Sequence, residues 1–143
     1  MTPSDFPPPG IYYIQSTYNG GYATVRSGGV GALEVYGSIV ADYDQEWTLK
    51  HATDENNGRY TITAALHAKL PLGVDEIEQN AAVQAKKADP PQTWILEKRD
   101  DEGSFSIGQV DSEINYVWNV QQDSIVIRGD DGHKVQSWTF VLV

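Results

Sequence analysis

The sequence contains no cysteine, a single methionine and no long apolar segment. The lack of cysteine excludes a disulfide scaffold, a cysteine nucleophile and a zinc site built from thiolates. The lack of a continuous apolar stretch of about 20 residues excludes a transmembrane helix, so we expect no membrane partner. Basic residues are also scarce, with 10 Lys and Arg against 20 Asp and Glu, which gives a net charge of −10. Such a surface repels phosphate backbones, and we expect no nucleic-acid partner.

What the chain does have is the composition of one globular domain. It contains 143 residues, of which 40% are hydrophobic and 10% aromatic, and we expect a single domain over residues 1–143 that is a monomer. Residues 1–9 are a proline-rich N-terminal extension. This extension lacks the basic and apolar regions of a secretory signal, so we expect a cytoplasmic protein.

Two motifs recur three times and divide the chain into repeats. Gln-x-Trp occurs at spacings of 47 and 44 residues, and Gly-x-aromatic-x-Ile at spacings of 48 and 45 residues. The two motifs stay in phase, which predicts three pseudo-equivalent units. The Gln-x-Trp motifs are Gln45–Trp47, Gln92–Trp94 and Gln136–Trp138. The units cover approximately residues 10–57, 58–102 and 103–143.

Each repeat is predicted to form four short strands. Apolar and polar residues alternate after each repeated glycine, as in Tyr12 and Ile14, which is the pattern of a half-buried strand. We expect the core to contain Trp47, Trp94, Trp138, Ile14, Ile62, Ile107, Leu49, Leu96 and Phe140. Trp118 has no counterpart in the other repeats, and we expect it to be partly exposed. Residues 40–44 and 88–92 are each predicted to hold a single helical turn.

Three units of about 45 residues cannot each bury a sheet face alone, so they must share one core. Twelve strands carrying Gln-x-Trp in triplicate resemble the β-trefoil, in which the tryptophan packs into the core and the glutamine holds the preceding loop. The resemblance covers residues 10–143 and implies an all-β protein with pseudo-threefold symmetry.

No arrangement of residues points to catalysis. The three histidines, His51, His67 and His133, fall in different repeats without the spacing of metal ligands. Paired carboxylates such as Asp130 and Asp131 lie in polar turns, where neither acid is desolvated as acid–base chemistry requires. We therefore expect no enzyme, no cofactor and no metal, and a binding function remains.

Sugar binding is one of two binding functions that remain. Trefoil lectins of the ricin-B type also carry Gln-x-Trp, and their pocket uses an Asp after the second strand, an aromatic residue near the third strand and a polar residue before the Gln. Repeat one has the aromatic Tyr36 but Arg26 near the Asp position. Repeat two has Asp75 but Ala85 and Lys86 where the aromatic residue is needed. Repeat three has Asn119 and Arg128 at these positions. No repeat assembles all three roles.

Protease inhibition is the other function. The segment Ala23–Arg26 is strand-like and ends in arginine, followed by a serine and glycines, which is typical of a trypsin substrate. A loop held in that shape binds the enzyme with little loss of entropy and so inhibits it. The residue types alone favour the simpler interpretation, in which Arg26 is a solvated residue at a strand end.

A second resemblance favours protease inhibition over the simpler interpretation of Arg26. Pro8–Ile14, Pro90–Glu97 and Trp138–Phe140 are similar to segments of fungal β-trefoil serine protease inhibitors, the cospin-like mycospins. The resemblance implies that a trypsin-like serine protease is the partner and that Arg26 enters its specificity pocket, with glycans as the alternative partner. The expected reactive-site loop consists of Thr24, Val25, Arg26, Ser27, Gly28 and Gly29.

Overall fold

A computed structural model describes residues 6–26, 31–53, 58–67, 69–99 and 103–143. These residues form thirteen strands and one turn of 3-10 helix, Lys134–Gln136. The all-β prediction is confirmed. No helix forms at residues 40–44 or 88–92, although the first of these segments contains one hydrogen-bonded turn, in which Tyr43 N–H donates to Val40 C=O (3.0 Å). The strands are β1 Gly10–Ser16, β2 Tyr22–Thr24, β3 Gly31–Ala32, β4 Glu34–Tyr36, β5 Trp47–His51, β6 Arg59–Ala64, β7 Leu72–Gly73, β8 Gln84–Ala85, β9 Trp94–Lys98, β10 Ser104–Asp111, β11 Ile114–Gln121, β12 Ser124–Gly129 and β13 Trp138–Leu142.

Six strands close into a barrel. Strands β1, β5, β6, β9, β10 and β13 pair in that order, all antiparallel, and β13 pairs back with β1. The register of the closing pair sets Tyr13 opposite Val141 and Ile14 opposite Phe140. Each repeat supplies the strand that follows its repeated glycine and the strand that begins at its tryptophan. The closed ring leaves no free barrel edge.

Three hairpins cover one end of the barrel, one from each repeat: β2 with β4, β7 with β8, and β11 with β12. Backbone hydrogen bonds join the hairpins in a ring. Leu33 N–H donates to Val83 C=O (2.8 Å), Val83 N–H to Ile125 C=O (3.1 Å), and Ile125 N–H to Leu33 C=O (3.2 Å). This ring lies on the pseudo-threefold axis, and together with the barrel it confirms the β-trefoil.

The three repeated tryptophans occupy equivalent core positions. Trp47, Trp94 and Trp138 are fully buried. Each indole N–H donates to a carbonyl in the first strand of the hairpin of its own repeat, at Ala23, Leu72 and Trp118 respectively. The other predicted core residues are buried as well, except Phe140, which is half-buried against the core.

Trp118 corrects one prediction, because it is fully buried rather than partly exposed. Its ring lies between the rings of Trp94 and Trp138, at 5.6 Å from each and nearly perpendicular to both. Trp118 occupies the position that Ala23 and Leu72 hold in repeats one and two. In the third repeat, therefore, one indole ring fills the space at this position, where the other two repeats have smaller side chains.

The described part of the N-terminal extension packs against the barrel. Tyr12 and Tyr60 donate their hydroxyl protons to the carbonyls of Pro8 (2.6 Å) and Pro7 (2.7 Å), and Phe6 stacks on Phe105. Burial raises the pKa of Tyr60 to about 12, so this hydroxyl remains a donor at neutral pH. Within the described ranges, no helix is long and apolar enough to cross a membrane.

Candidate functional site

The hairpins provide three equivalent positions for a ligand site. The equivalent residues can be found by alignment on the carbonyls that accept the tryptophan N–H groups. Three residues after these carbonyls lie Arg26, Asp75 and Gln121, at or just beyond the ends of β2, β7 and β11. Three residues after Leu33, Val83 and Ile125, which form the ring of backbone hydrogen bonds, lie Tyr36, Lys86 and Arg128, in or next to β4, β8 and β12. From sequence, Asn119 is the expected repeat-three equivalent of Arg26 and Asp75. The structure instead aligns Asn119 with Thr24 and Gly73.

Repeat one brings together four polar or aromatic side chains, Arg26, Glu34, Tyr36 and Tyr43, in what we call the Tyr36 face. Arg26 donates two hydrogen bonds to Glu34, from Nε to Oε2 (2.6 Å) and from Nη2 to Oε1 (2.9 Å). The guanidinium carbon lies 5.9 Å from the centre of the Tyr36 ring. The Tyr36 and Tyr43 rings meet edge to face at 5.5 Å.

The charges on this face are paired but accessible. The side chain of Arg26 is 51% exposed and that of Glu34 is 31% exposed. The hydrogen bonds from Arg26 hold the pKa of the Glu34 carboxyl below its ordinary value, and hydrogen bonding to Glu34 and then to Tyr43 raises the pKa of Arg26. The face is therefore neutral overall at physiological pH, while it keeps one anionic and one cationic group.

Such a set of groups suits a polyhydroxylated ligand. The half-buried Tyr36 ring offers a flat apolar surface to the C–H face of a sugar. Each Glu34 oxygen keeps acceptor capacity beyond its bond to Arg26, and the remaining N–H groups of Arg26 can donate. Glu34 and Tyr43 were absent from the sequence-based site. Glu34 had a recognisable signal, because residues two apart in a strand share a face.

The equivalent positions of the other repeats hold ion pairs or polar pairs without an aromatic ring. In repeat two, Lys86 forms an ion pair with Asp75. In repeat three, Arg128 donates to Gln121 at 3.5 Å and to Asn80 at 3.2 Å. Among the described hairpin residues, therefore, the aromatic ring and the carboxylate come together in repeat one.

The polar position before each Gln-x-Trp is occupied in repeat one by Asp44, which is buried. Its Oδ1 accepts the backbone N–H of His67 (3.0 Å), and its backbone pairs with Val25. Asp44 therefore connects the chain next to Tyr43 to the residue before Arg26 and to His67.

The predicted reactive-site residues divide into three groups. Thr24 and Val25 are buried: Thr24 lies opposite Glu34 in the β2–β4 ladder, and Val25 exchanges two 2.9 Å backbone hydrogen bonds with Asp44. Arg26 is exposed. Ser27, Gly28 and Gly29 lie outside the described residues.

The remaining candidates for chemistry are dispersed. His51 is half-buried with its ring 4.9 Å from that of Tyr60, whereas His67 and His133 are exposed. Asp130 accepts hydrogen bonds from Arg99 (2.9 and 3.3 Å) and forms an ion pair with it. No three His, Asp or Glu side chains within the described part of the chain converge as metal ligands would.

A protein-family model supports the fold and the class of domain. The model of the ricin-type beta-trefoil lectin domain-like family matches residues 43–138, which is about two-thirds of the chain. No curated protein sequence matches this one.

Solved structures share the fold at low sequence identity. The agglutinin of Rhizoctonia solani matches with a TM-score of 0.80 and 17% identity over 96% of this chain and 98% of its own. The ricin B-like lectin of Macrolepiota procera, solved in complex with lactose, has a TM-score of 0.78 and 16% identity over 96% and 99%. The designed three-fold symmetric protein ThreeFoil has a TM-score of 0.75 and 19% identity over 93% and 99%.

Proposed function

The chain belongs to the ricin-type β-trefoil lectin domain-like family, and from this premise we propose that it binds carbohydrate at the Tyr36 face. The family match and the structural neighbours fit this function better than protease inhibition, because the Rhizoctonia solani protein is an agglutinin and the Macrolepiota procera protein is a lectin. Inhibition of a trypsin-like protease through Arg26, which is the function predicted from the sequence, thus becomes the second candidate.

The observation that carries the proposal is the position of Tyr36 beside Glu34 and Arg26. An apolar ring flanked by fixed acceptors and donors is the usual chemistry of a small polar ligand site. The bidentate Arg26–Glu34 pair holds both groups in place before the ligand arrives, which lowers the entropy cost of binding. Because the pair cancels its own charge, the ligand class is a neutral sugar.

The test is a glycan array followed by calorimetric titration of the best binder. We expect Tyr36→Ala to weaken binding about tenfold or more, since it removes the stacking surface. Tyr18→Ala is the matched control, because Tyr18 is an exposed tyrosine in the β1–β2 turn. Equal affinity of wild type and Tyr36→Ala for the selected glycan would exclude the Tyr36 face, and an array without binders would refute the function itself.

Inhibition of trypsin-like proteases is a second candidate because Arg26 is half-exposed at the point where strand pairing ends. An exposed ion pair contributes little free energy, so the guanidinium can leave Glu34 for a charged pocket at small cost. The enzyme would engage Arg26 and the residues after it, since the backbone of Val25 is already paired with Asp44.

A trypsin inhibition assay separates the two candidates. If Arg26 anchors the complex, Arg26→Ala weakens inhibition about a hundredfold or more, while Arg26→Lys keeps part of it. Tyr36→Ala should leave inhibition almost unchanged while it weakens glycan binding about tenfold or more. A wild-type protein that does not inhibit trypsin, or a folded Arg26→Ala that inhibits as well as wild type, rules out Arg26 as the anchor.

A further inference from the structure

The repeated Gly-x-aromatic-x-Ile motif supplies one aromatic ring from each repeat to the end of the barrel that the hairpins leave open. These rings, Tyr12, Tyr60 and Phe105, lie near the beginnings of β1, β6 and β10, and the hairpins follow the ends of the same strands. A fourth ring, Phe140 of β13, meets Tyr12 at 5.9 Å and Phe105 at 6.0 Å. We call the surface that these four rings form the aromatic groove; it shares no residue with the Tyr36 face.

Residues 6–9 lie in the aromatic groove as a bound peptide would. They belong to no strand, and two tyrosine hydroxyls hold their backbone: Tyr12 donates to the carbonyl of Pro8 (2.6 Å) and Tyr60 to that of Pro7 (2.7 Å). A proline residue offers a carbonyl acceptor and has no backbone N–H to donate. Since both of these hydrogen bonds run from the groove to the segment, the groove presents the donors that a run of prolines needs.

The third repeat provides a place for an aromatic side chain. Its motif residue is Phe105, which lacks the hydroxyl of its counterparts Tyr12 and Tyr60, and the ring of Phe6 stacks on it with the centroids 6.5 Å apart. Gly58 leaves room for Phe6, because an added Cβ would stand 3.1 Å from Cε1 of that ring. The groove therefore distinguishes two kinds of position: two hydroxyls bind proline carbonyls, and an apolar surface binds an aromatic ring.

The groove extends beyond the segment that occupies it. An open volume of about 350 Å³ remains beside residues 6–8, and Lys98 and Gly103 also line it. Pro7 is buried whereas Pro8 is exposed, so the segment keeps one side towards solvent. A segment that is not paired in a sheet opens at a lower cost in free energy than the core strands do. The segment can therefore be displaced while the barrel stays folded.

From these observations we infer that the aromatic groove is a recognition site for proline-rich segments of the form aromatic-Pro-Pro. Residues 6–8 fill it within the same chain, and a partner protein that carries such a segment fills it by displacing them. Prolines restrict the free peptide, which lowers the entropy cost of binding in an aromatic-lined groove. The short tether to β1 gives the chain's own segment an effective concentration of about millimolar, so the partner competes with it. A partner is favoured over a second copy, because copies with a net charge of −10 repel one another.

Fluorescence anisotropy of a labelled peptide tests the inference on the full chain. The probe has the sequence of residues 4–10, Ser-Asp-Phe-Pro-Pro-Pro-Gly, and the control peptide has alanine in place of the three prolines. Phe6→Ala removes the ring that the chain's own segment stacks on Phe105. The probe should therefore bind this variant about tenfold more tightly than it binds wild type. The control peptide should bind the variant about tenfold more weakly than the probe does.

Further variants separate recognition from a structural role. Pro8→Gly loosens the segment at an exposed residue and should also tighten binding of the probe, by a smaller factor. Combined with Phe6→Ala, Tyr60→Phe removes a hydroxyl that donates to a proline carbonyl and should weaken binding of the probe about fivefold. Tyr18→Phe, at an exposed tyrosine in the β1–β2 turn, is the matched control in the same background and should leave the affinity unchanged.

Each outcome decides the inference. Tighter binding of the probe to Phe6→Ala that Tyr60→Phe weakens and Tyr18→Phe does not supports it. No binding to either Phe6→Ala or Pro8→Gly at millimolar peptide overturns it, because residues 6–8 would then be only a part of the fold. Equal binding of the two peptides also overturns it, since apolar contact alone would explain the affinity. Light scattering that shows a dimer of wild type but not of Phe6→Ala would assign the groove to a second copy and overturn the partner.

Discussion

At the scale of single residues, Trp118 is fully buried between the rings of Trp94 and Trp138. Replacing it with alanine removes both ring contacts and leaves a cavity that close packing cannot fill. We expect Trp118→Ala to lower the free energy of unfolding by about 3–5 kcal/mol, as measured by urea denaturation. Leu142→Ala, at a residue that is 70% exposed, should change it by less than about 0.5 kcal/mol. A loss below about 1 kcal/mol at Trp118 would contradict the packing described.

The Arg26–Glu34 pair predicts a shifted titration. Because Arg26 lowers the pKa of Glu34, the carboxylate stays charged below the ordinary glutamate value of about 4.3. The stability that the pair contributes is fully present above that value, and it is lost as the pH falls through the lowered pKa. Carbon-detected NMR titration should show a lower Glu34 pKa in wild type than in Arg26→Ala. Identical titration curves would mean that the two groups do not interact in solution.

At the scale of elements, the β10–β11 hairpin requires glycine at position 108. Gly108 lies opposite Val117, and an added Cβ would stand 2.5 Å from the carbonyl oxygen of Tyr116 and 2.9 Å from Cγ1 of Val117. Backbone cannot yield as a flexible side chain does, so Gly108→Ala should cost about 2–3 kcal/mol in thermal or urea unfolding. Gly37→Ala is the control, because a Cβ there meets nothing within 4 Å. Equal stability of the two variants would refute this account.

The secondary-structure elements also show how much of the fold could be predicted from the sequence. The barrel strands followed from the two motifs, because alternating burial and a core tryptophan leave a clear pattern in each repeat. The strands of the hairpins leave a weaker pattern, and β7 holds only Leu72 and Gly73. Gln92 bonds to the backbone of Val74 directly after β7. That contact depends on the folded position of a residue 18 places away.

Some residues of the candidate site could be predicted from the sequence, and others could not. Tyr36 could be found from sequence because its position is fixed relative to the motif, and Glu34 could have been found two residues before it. The hydrogen bond that Gln109 donates to Gln92 could not, because it depends on how β10 aligns with β9, where Gly108 lies opposite Ile95. Trp118 was misplaced because its equivalents, Ala23 and Leu72, carry no aromatic signal that would mark the position as core.

At the scale of the whole molecule, the net charge of −10 sets the response to salt. Like charges repel one another more in the compact state, and dissolved salt screens that repulsion. The ion pairs that Arg26, Lys86 and Arg99 form with Glu34, Asp75 and Asp130 are exposed or partly exposed and lose little free energy on screening. Raising sodium chloride from low to physiological concentration or above at neutral pH should therefore raise Tm by about 2–4 °C, the shift that about 1 kcal/mol gives in a chain of this length. Calorimetry checks this, and a falling Tm would contradict it.

The ring of backbone hydrogen bonds among Leu33, Val83 and Ile125 has a consequence for hydrogen exchange. Each amide proton of the ring is held by a carbonyl of a different repeat, and all three residues are fully buried. No single repeat can open without breaking two of the three bonds, so local opening cannot release one proton alone. In deuterated water the three amides should therefore exchange last and at one common rate, which reports the global unfolding of the trefoil.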